Sequence, residues 1–291
     1  MNPNLALLAL AQGLFLTNNI IFIAINGLVG LSMAPLGWMA TLPVMGYVVG
    51  GAASTSLVAR TQERYGRKVA FQIGLAVGFI SCVLCALAAM THHFWGLVFA
   101  TFVAGYYNAN AQLYRFAAAE LAPSAKEKAV SLVLAGGLIG AIMGPYIATH
   151  TKNLLDTPFA GAYVTLCVVA IVSAIVISFI QFPPLPPKKQ ADEQGRPLSE
   201  IMRQPLFIVS ALAAAISYGI MNLLMAATPL AMQVCSMSFE DTAWVLQWHV
   251  IGMFAPGFVT GHLIKRYGVL NVMAVGVVLN VASIAVALSG T

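Results

Sequence analysis

The sequence predicts an all-α, polytopic membrane protein, and three observations predict it. Of 291 residues, 60% are hydrophobic and only 8% charged, against roughly a quarter charged in an ordinary soluble domain. A water-soluble surface cannot be built from that composition. The apolar residues also fall in runs long enough to cross about 30 Å of hydrocarbon, which takes about 20 residues of helix. Nearly all the Lys and Arg are bunched in short stretches between those runs.

The runs lie at roughly 5–30, 36–58, 69–90, 95–115, 129–149, 161–181, 204–229, 243–263 and 270–289, nine predicted spans in all. Helix is the state expected for each, because a backbone amide left unpaired in lipid costs several kcal/mol and the pattern is not that of barrel strands. The first run has no basic residue before it and more spans after it, so it reads as a retained helix, not a cleaved leader. With the N-terminus inside, the cytoplasmic stretches hold 13 of the 14 Lys and Arg, and the opposite side holds only Lys152. That asymmetry predicts the orientation. Trp38, Trp95, Trp244 and Tyr163 then all fall where a helix enters from the outer face, as an interfacial aromatic belt would.

The longest polar stretch, Pro183 to Arg203, carries Pro183, Pro184, Pro186 and Pro187 before mixed charges, and reads as a cytoplasmic linker. The predicted organisation is a six-helix bundle over 1–181, a linker over 182–203 and a group of three helices over 204–291. An internal repeat supports this division. Glu63-Arg64-Tyr65-Gly66-Arg67-Lys68 joins spans two and three, and Lys265-Arg266-Tyr267-Gly268 joins spans eight and nine.

On these residues the chain resembles the major facilitator superfamily, whose members usually have two six-helix halves related by a pseudo-two-fold axis along the membrane normal. The family's loop signature, G-x-x-x-D-R-x-G-R-R/K, falls on Ala59 to Lys68, with Ala59 at its first glycine and Glu63 in place of its aspartate. In the second half it falls on Gly261 to Gly268, where Lys265 replaces the acid. The fifth-helix signature G-x-x-x-G-P is met by Gly140, Gly144 and Pro145 and leans toward export. The family's helices ten to twelve have no counterpart before Thr291, which reads as a truncated product or incomplete coding sequence, with a missing half supplied in trans as the alternative. The resemblance makes Glu63, Arg64 and Arg67, with Gly66, Lys68, Lys265, Arg266 and Gly268, a gating loop that holds the cytoplasmic side shut. The alternative is that these residues act only as positive-inside determinants. It also gives Pro145 a role in restricting leak or setting the conformational change.

The residues carry readings of their own. Gly66 permits a tight reversal without a side-chain penalty, and Glu63 has Arg64 and Arg67 within reach as ion-pair partners. Gly46 and Gly50, Gly74 and Gly78, and Gly136, Gly140 and Gly144 recur at a four-residue spacing that permits close helix contact. Pro145 lacks a backbone donor and is expected to bend or end its helix.

Polar groups inside a span are costly unless they face a cavity or a partner. Gln12, Asn19 and Asn26 lie at i, i+7 and i+14, one stripe on an otherwise apolar helix. Asn108 and Gln112 share a face in span four with Arg115, which is near enough to the end to snorkel. Arg115 and Glu120, with Lys126 and Lys128, form a structural ion-pair network by this reading. Tyr218 and Asn222 pair at i+4 in span seven. The first, fourth and seventh helices line the central cavity in the resembled family, so these residues form the expected substrate path; ordinary interhelical hydrogen bonding is the alternative.

No Asp or Glu falls at mid-membrane depth. His249 is the readily titratable side chain well inside a predicted span, and an unperturbed pKa near 6.5 suits proton exchange, although an interfacial or packed His is the plainer reading. The basic residues are dispersed over separate loops, which argues against nucleic acid. Cys82 and Cys85 sit in an apolar run without a second pair, as buried thiols do. There is no Walker loop or metal constellation, so no cofactor, metal or enzyme chemistry is expected. The expected function is secondary transport of a small organic solute across the bilayer of a bacterial inner membrane, by alternating access and with H+ as candidate coupling ion. The alternative is a non-transporting remnant or membrane partner subunit.

Overall fold

The computed structural model describes residues 2–184 and 197–289. Most of the predicted linker, including Lys188, Lys189 and Arg196, lies outside these residues. Helices and short turns account for the structure, with no strand among the described residues. Helix α1, Pro3–Met33, opens with Pro3 in its first turn and with Asn2 Oδ1 accepting from the Asn4 amide at 3.0 Å, which satisfies one of the free donors of a helix start. A 3₁₀ turn, Gly37–Thr41, leads into α2, Leu42–Met90. This is two helices joined at Gly66, whose φ of 80° and ψ of 172° lie in a region essentially reserved for glycine. Its two arms are the second and third predicted spans.

Helix α3, Phe94–Ala111, is capped by His93 Nδ1, which accepts from the Gly96 amide at 2.8 Å. Helix α4, Tyr114–Leu121, continues after a break at Gln112 and Leu113. The predicted fifth span is likewise divided, into α5, Lys126–Ala135, and α6, Gly137–Thr151. The break falls at Gly136 and not at Pro145, which stays within α6. A Cβ at Gly136 would overlap the Ala9 carbonyl, so close contact with α1 sets the discontinuity there. Helix α7, Ala160–Phe179, completes the first group.

After the linker come α8, Leu198–Met202, and α9, Pro205–Val234. Helix α10, Phe239–Phe254, starts with a reciprocal capping box between Ser238 and Asp241, which satisfies two orphan donors at once. Helices α11, Gly257–Tyr267, and α12, Val269–Leu288, follow. The predicted eighth span is thus shared by α10 and α11, interrupted around Ala255 and Pro256. Among the described residues, six helical stretches are each long and apolar enough to cross a membrane, and one of them, Gly37–Met90, holds two predicted spans. Helix α3 is not among the six: Tyr106, Tyr107, Asn108 and Asn110 make its second half polar.

Helix α1 is central, packing on α6, α7, α2, α5 and α9, while the most extensive single contact joins α2 to α3. Two apolar clusters stack along α1, one around Phe15, Tyr107 and Tyr114, the other around Phe22, Tyr47 and Tyr163. Phe15 and Phe22, seven residues apart and so on one face, are each held between two tyrosine rings. Phe15 meets Tyr107 and Tyr114 at 5.6 and 6.4 Å, and Phe22 meets Tyr47 and Tyr163 at 5.4 and 6.0 Å. Tyr163 is therefore wholly buried, not part of an interfacial belt. Its hydroxyl finds a partner in Asn26, whereas Trp38, Trp95 and Trp244 are exposed.

In a bilayer, packing and interhelical hydrogen bonds hold helices together, since lipid is as apolar as Leu. The glycine spacings serve that packing. A Cβ on Gly50 would overlap the Phe102 carbonyl, and one on Gly140 would lie 2.6 Å from the Leu16 side chain. Polar ties reinforce the same interfaces: Ser81 donates to the Ala100 carbonyl at 2.7 Å and Gln72 to the Ala174 carbonyl at 2.8 Å.

Candidate functional site

The two repeated turns show why their sequences match. Gly66 and Gly268 adopt nearly the same backbone, φ 80°, ψ 172° and φ 83°, ψ 158°. No other residue type reaches that conformation without strain. In each turn the arginine two residues earlier lies over the tyrosine between them, with Arg64 and Arg266 each 5.2 Å from the ring centroid. Two turns far apart in sequence are thus built alike.

Their polar surroundings differ. Arg67 binds Glu120 through two nitrogens, at 3.0 and 2.6 Å, and donates a third bond to Gln62 Oε1 at 2.7 Å. Gln62 passes the chain on to Asn110 Oδ1 at 3.1 Å, and Asn110 donates to the Ala70 carbonyl at 2.8 Å. This ties both arms of α2 to α3 and α4 at the basic face. Glu63 is exposed and makes no ion pair among the described residues. Lys68 and Lys265 are exposed as well. The expected pairing of Arg115 with Glu120 does not form: Glu120 is taken by Arg67, and Arg115 lies over the Phe116 ring at 5.2 Å. The fork of a guanidinium matches both carboxylate oxygens at once, and Arg67 is placed to supply it. The Arg67 and Glu120 side chains are 23% and 44% exposed, so the pair's own contribution to stability is only about 0–1 kcal/mol. Gln62 and Asn110 carried no signal in the sequence: Gln62 falls between the second and third predicted spans and Asn110 within the fourth, with no shared spacing.

The three polar residues of the α1 stripe differ in their partners. Asn26 is buried and accepts the Tyr163 hydroxyl at 2.5 Å, tying α1 to α7. Gln12 is buried and Asn19 half-buried, and neither side chain has a recorded protein partner. On α3, Asn108 is buried with its Oδ1 unpaired, while Gln112 caps the helix end and is half-buried. On α9, the Asn222 amide donates to the Tyr218 carbonyl of its own helix at 3.0 Å, and the Tyr218 ring is largely exposed. His249 is half-buried on α10, and its Nε2 has no partner.

One residue of this region was not legible in the sequence. Tyr47 lies in the apolar run Val44-Met45-Gly46-Tyr47-Val48-Val49, yet its hydroxyl is buried and unpaired. Leaving such a group unsatisfied costs about 1–3 kcal/mol. Two polar atoms on the adjoining helices α2 and α3, Tyr47 Oη and Asn108 Oδ1, therefore have hydrogen-bonding capacity that the protein itself does not use. Gly140, Gly144 and Pro145 are buried on α6, where Gly140 and Gly144 face Leu16 and Ile20 of α1. No grouping of metal-ligating side chains occurs among the described residues.

The chain is 36% identical over 290 residues to the riboflavin transporter RfnT of Brucella anthropi, covering 99% of this chain and 73% of that protein. It is 23% identical over 261 residues to YdeG of Bacillus subtilis, an uncharacterized MFS-type transporter, of which it spans 61%. Among solved structures, an auto-inhibited POT family peptide transporter aligns with 85% of this chain and 53% of its own, at 16% identity and a TM-score of 0.47. The Major Facilitator Superfamily profile matches residues 5–290. A multi-pass helical protein with that match, and with a transporter relative aligned along almost its whole length, is a transporter and not an enzyme: the chain belongs to the Major Facilitator Superfamily.

Proposed function

We propose that this protein carries a small organic solute across the membrane by alternating access, and that riboflavin is the first solute to test. The choice of riboflavin rests on the likeness to a protein named as a riboflavin transporter. Residues 1–181 and 204–291 are the two bodies that rock, joined by the linker at 182–203. The basic face is cytoplasmic and the membrane is a bacterial inner membrane, in keeping with the bias of Lys and Arg.

The observation that carries the reading is the unpaired Asn108 Oδ1 on α3. A buried acceptor kept without a protein partner is explained when a solute or cavity water supplies the donor. Tyr47 joins the path on the same ground, beside Gln12, Asn19, Gln112, Tyr218 and Asn222. Asn26 contributes by holding α1 to α7. Arg67, Glu120 and Gln62 fasten the basic face, with Gly66 and Gly268 as the turns that pivot there. Gly140, Gly144 and Pro145 let α6 lie close against α1. His249 is the proposed proton carrier.

Uptake of radiolabelled riboflavin into proteoliposomes tests the proposal. Saturable uptake is expected, driven by an inward proton gradient, with Asn108→Ala lowering it about tenfold, the equivalent of about 1.4 kcal/mol. His249→Ala is expected to abolish the response to the gradient while counterflow persists. Uptake that ignores the gradient would remove the proton from the account. Uptake unchanged by both Asn19→Ala and Asn108→Ala would remove the path.

A further inference from the structure

Among the described residues, the face opposite the basic one holds a single Lys or Arg, Lys152, and it is not free. Its Nζ lies 2.5 Å from Glu240 Oε1 and 5.2 Å from the centroid of the Phe239 ring. Lys152 follows α6 directly, and Glu240 stands in the first turn of α10, so the pair joins the first group of helices to the second. Both ends are held firmly. The Lys152 carbonyl accepts the Phe159 amide at 2.6 Å, which closes the segment between them into a compact loop. Ser238 and Asp241 fix the start of α10 through the capping box.

Beside the ion pair is an aromatic one. Phe159 and Phe239 meet edge to face with centroids 5.3 Å apart. Phe159 reaches that position from a left-handed backbone, φ 65°, which costs a non-glycine residue about 1–3 kcal/mol and persists only where surrounding contacts require it. Both rings line a cavity of about 360 Å³, which is also bordered by Val29 of α1, Pro229 of α9 and Thr242 of α10. Lys152 draws the Glu240 carboxyl below its usual range, which favours the carboxylate form that the contact uses.

We infer that Lys152 and Glu240, with Phe159 and Phe239 beneath them, form a releasable latch that closes this face of the protein between its two groups of helices. The inference rests on the alternating-access reading for its purpose, but the contact itself can be tested without transport. An exposed ion pair is suited to this use. It is worth little in water and is screened by salt, so it opens at small cost, while its charges select the partner. A third charged group, Asp241, is engaged by Ser238 and does not compete for Lys152.

The test is the reactivity of Val29→Cys with a maleimide in permeabilised membranes, on a background carrying Cys235→Ser. Val29 is 4% exposed, and Cys235 is the exposed native thiol. Lys152→Glu and Glu240→Lys, each alone, are expected to raise the labelling rate about fivefold, and the two together to return it to within about twofold of the parent. Single variants that label at the parent rate would overturn the latch, as would a double variant that labels as fast as the singles. A cysteine pair at positions 152 and 240 gives a second readout. Oxidation is expected to form the cross-link and slow Val29→Cys labelling, and reduction to restore it; a cross-link that leaves labelling unchanged would also overturn the latch. If labelling behaves as expected but riboflavin is not taken up, the latch stands and the transport reading fails.

Discussion

Helices α1 and α12 have similar apolar character but opposite surroundings. Their most apolar windows have mean hydropathies of 1.8 and 2.3, yet 78% of the α1 window is buried within the protein and none of the α12 window is. Helix α9 resembles α12, with 6% of its window buried. Hydropathy therefore reports compatibility with lipid and says nothing of protein contact. What separates the two regions is the use of small and polar residues. Around α1 to α7, the glycines sit where backbones cross: Gly50 against Phe102, Gly105 against Gly51, Gly136 against Ala9. In α9 to α12, Gly219, Gly252, Gly257 and Gly276 meet nothing within 4 Å.

This contrast is open to direct test, and the largest effect is expected at the crossing of α2 and α3. Gly105→Leu forces a side chain into the backbone of Gly50 and Gly51, and overpacking of this kind costs about 1–3 kcal/mol or more. A lower thermal unfolding midpoint in detergent, or loss of the folded fraction, is expected. Gly276→Leu is expected to leave the midpoint unchanged, and equal losses would erase the distinction between the two regions.

The turns predict the reverse, an equality between the regions. Gly66→Ala and Gly268→Ala each place a Cβ on a backbone that L-residues avoid, so both are expected to cost about 1–3 kcal/mol. A neutral Gly268→Ala would show that the two turns are alike in sequence only. A smaller effect is expected from Tyr163→Phe, which leaves the Asn26 acceptor unpaired; hydrogen bonds between membrane helices average about 0.6 kcal/mol, and chemical unfolding of the variant measures the difference. A comparable effect, about 0–1 kcal/mol, is expected from Arg67→Ala, measured in the same way. Its effect on transport is expected to exceed its effect on stability, because Arg67 gathers three helices at one face.

Much of this architecture could be read from residues alone. The spans, the repeated turn and the four-residue glycine spacing are local patterns, and each depends on chemistry that one segment carries by itself. The partner of Glu120 was not legible, because Arg115 and Arg67 are equally plausible until the turn at Gly66 brings the second arm of α2 beside α4. Tyr163 misled for a related reason: position near a helix entrance suggests an interfacial ring, but only the fold reveals Asn26 opposite its hydroxyl. Tyr47, a lone polar group in an apolar run, has no periodicity to mark it. The breaks at Gly136 and at Ala255 to Pro256 likewise depend on contacts or backbone choices that hydropathy averages away.

The central claim is that the unpaired polar groups on α2 and α3 border a solute path that opens to either face in turn. Asn108→Cys, on the Cys235→Ser background, tests it by labelling with an impermeant maleimide from each side of sealed vesicles of known orientation. The account predicts labelling from both sides, slowed by riboflavin. Labelling confined to one side, or no labelling from either, would contradict it.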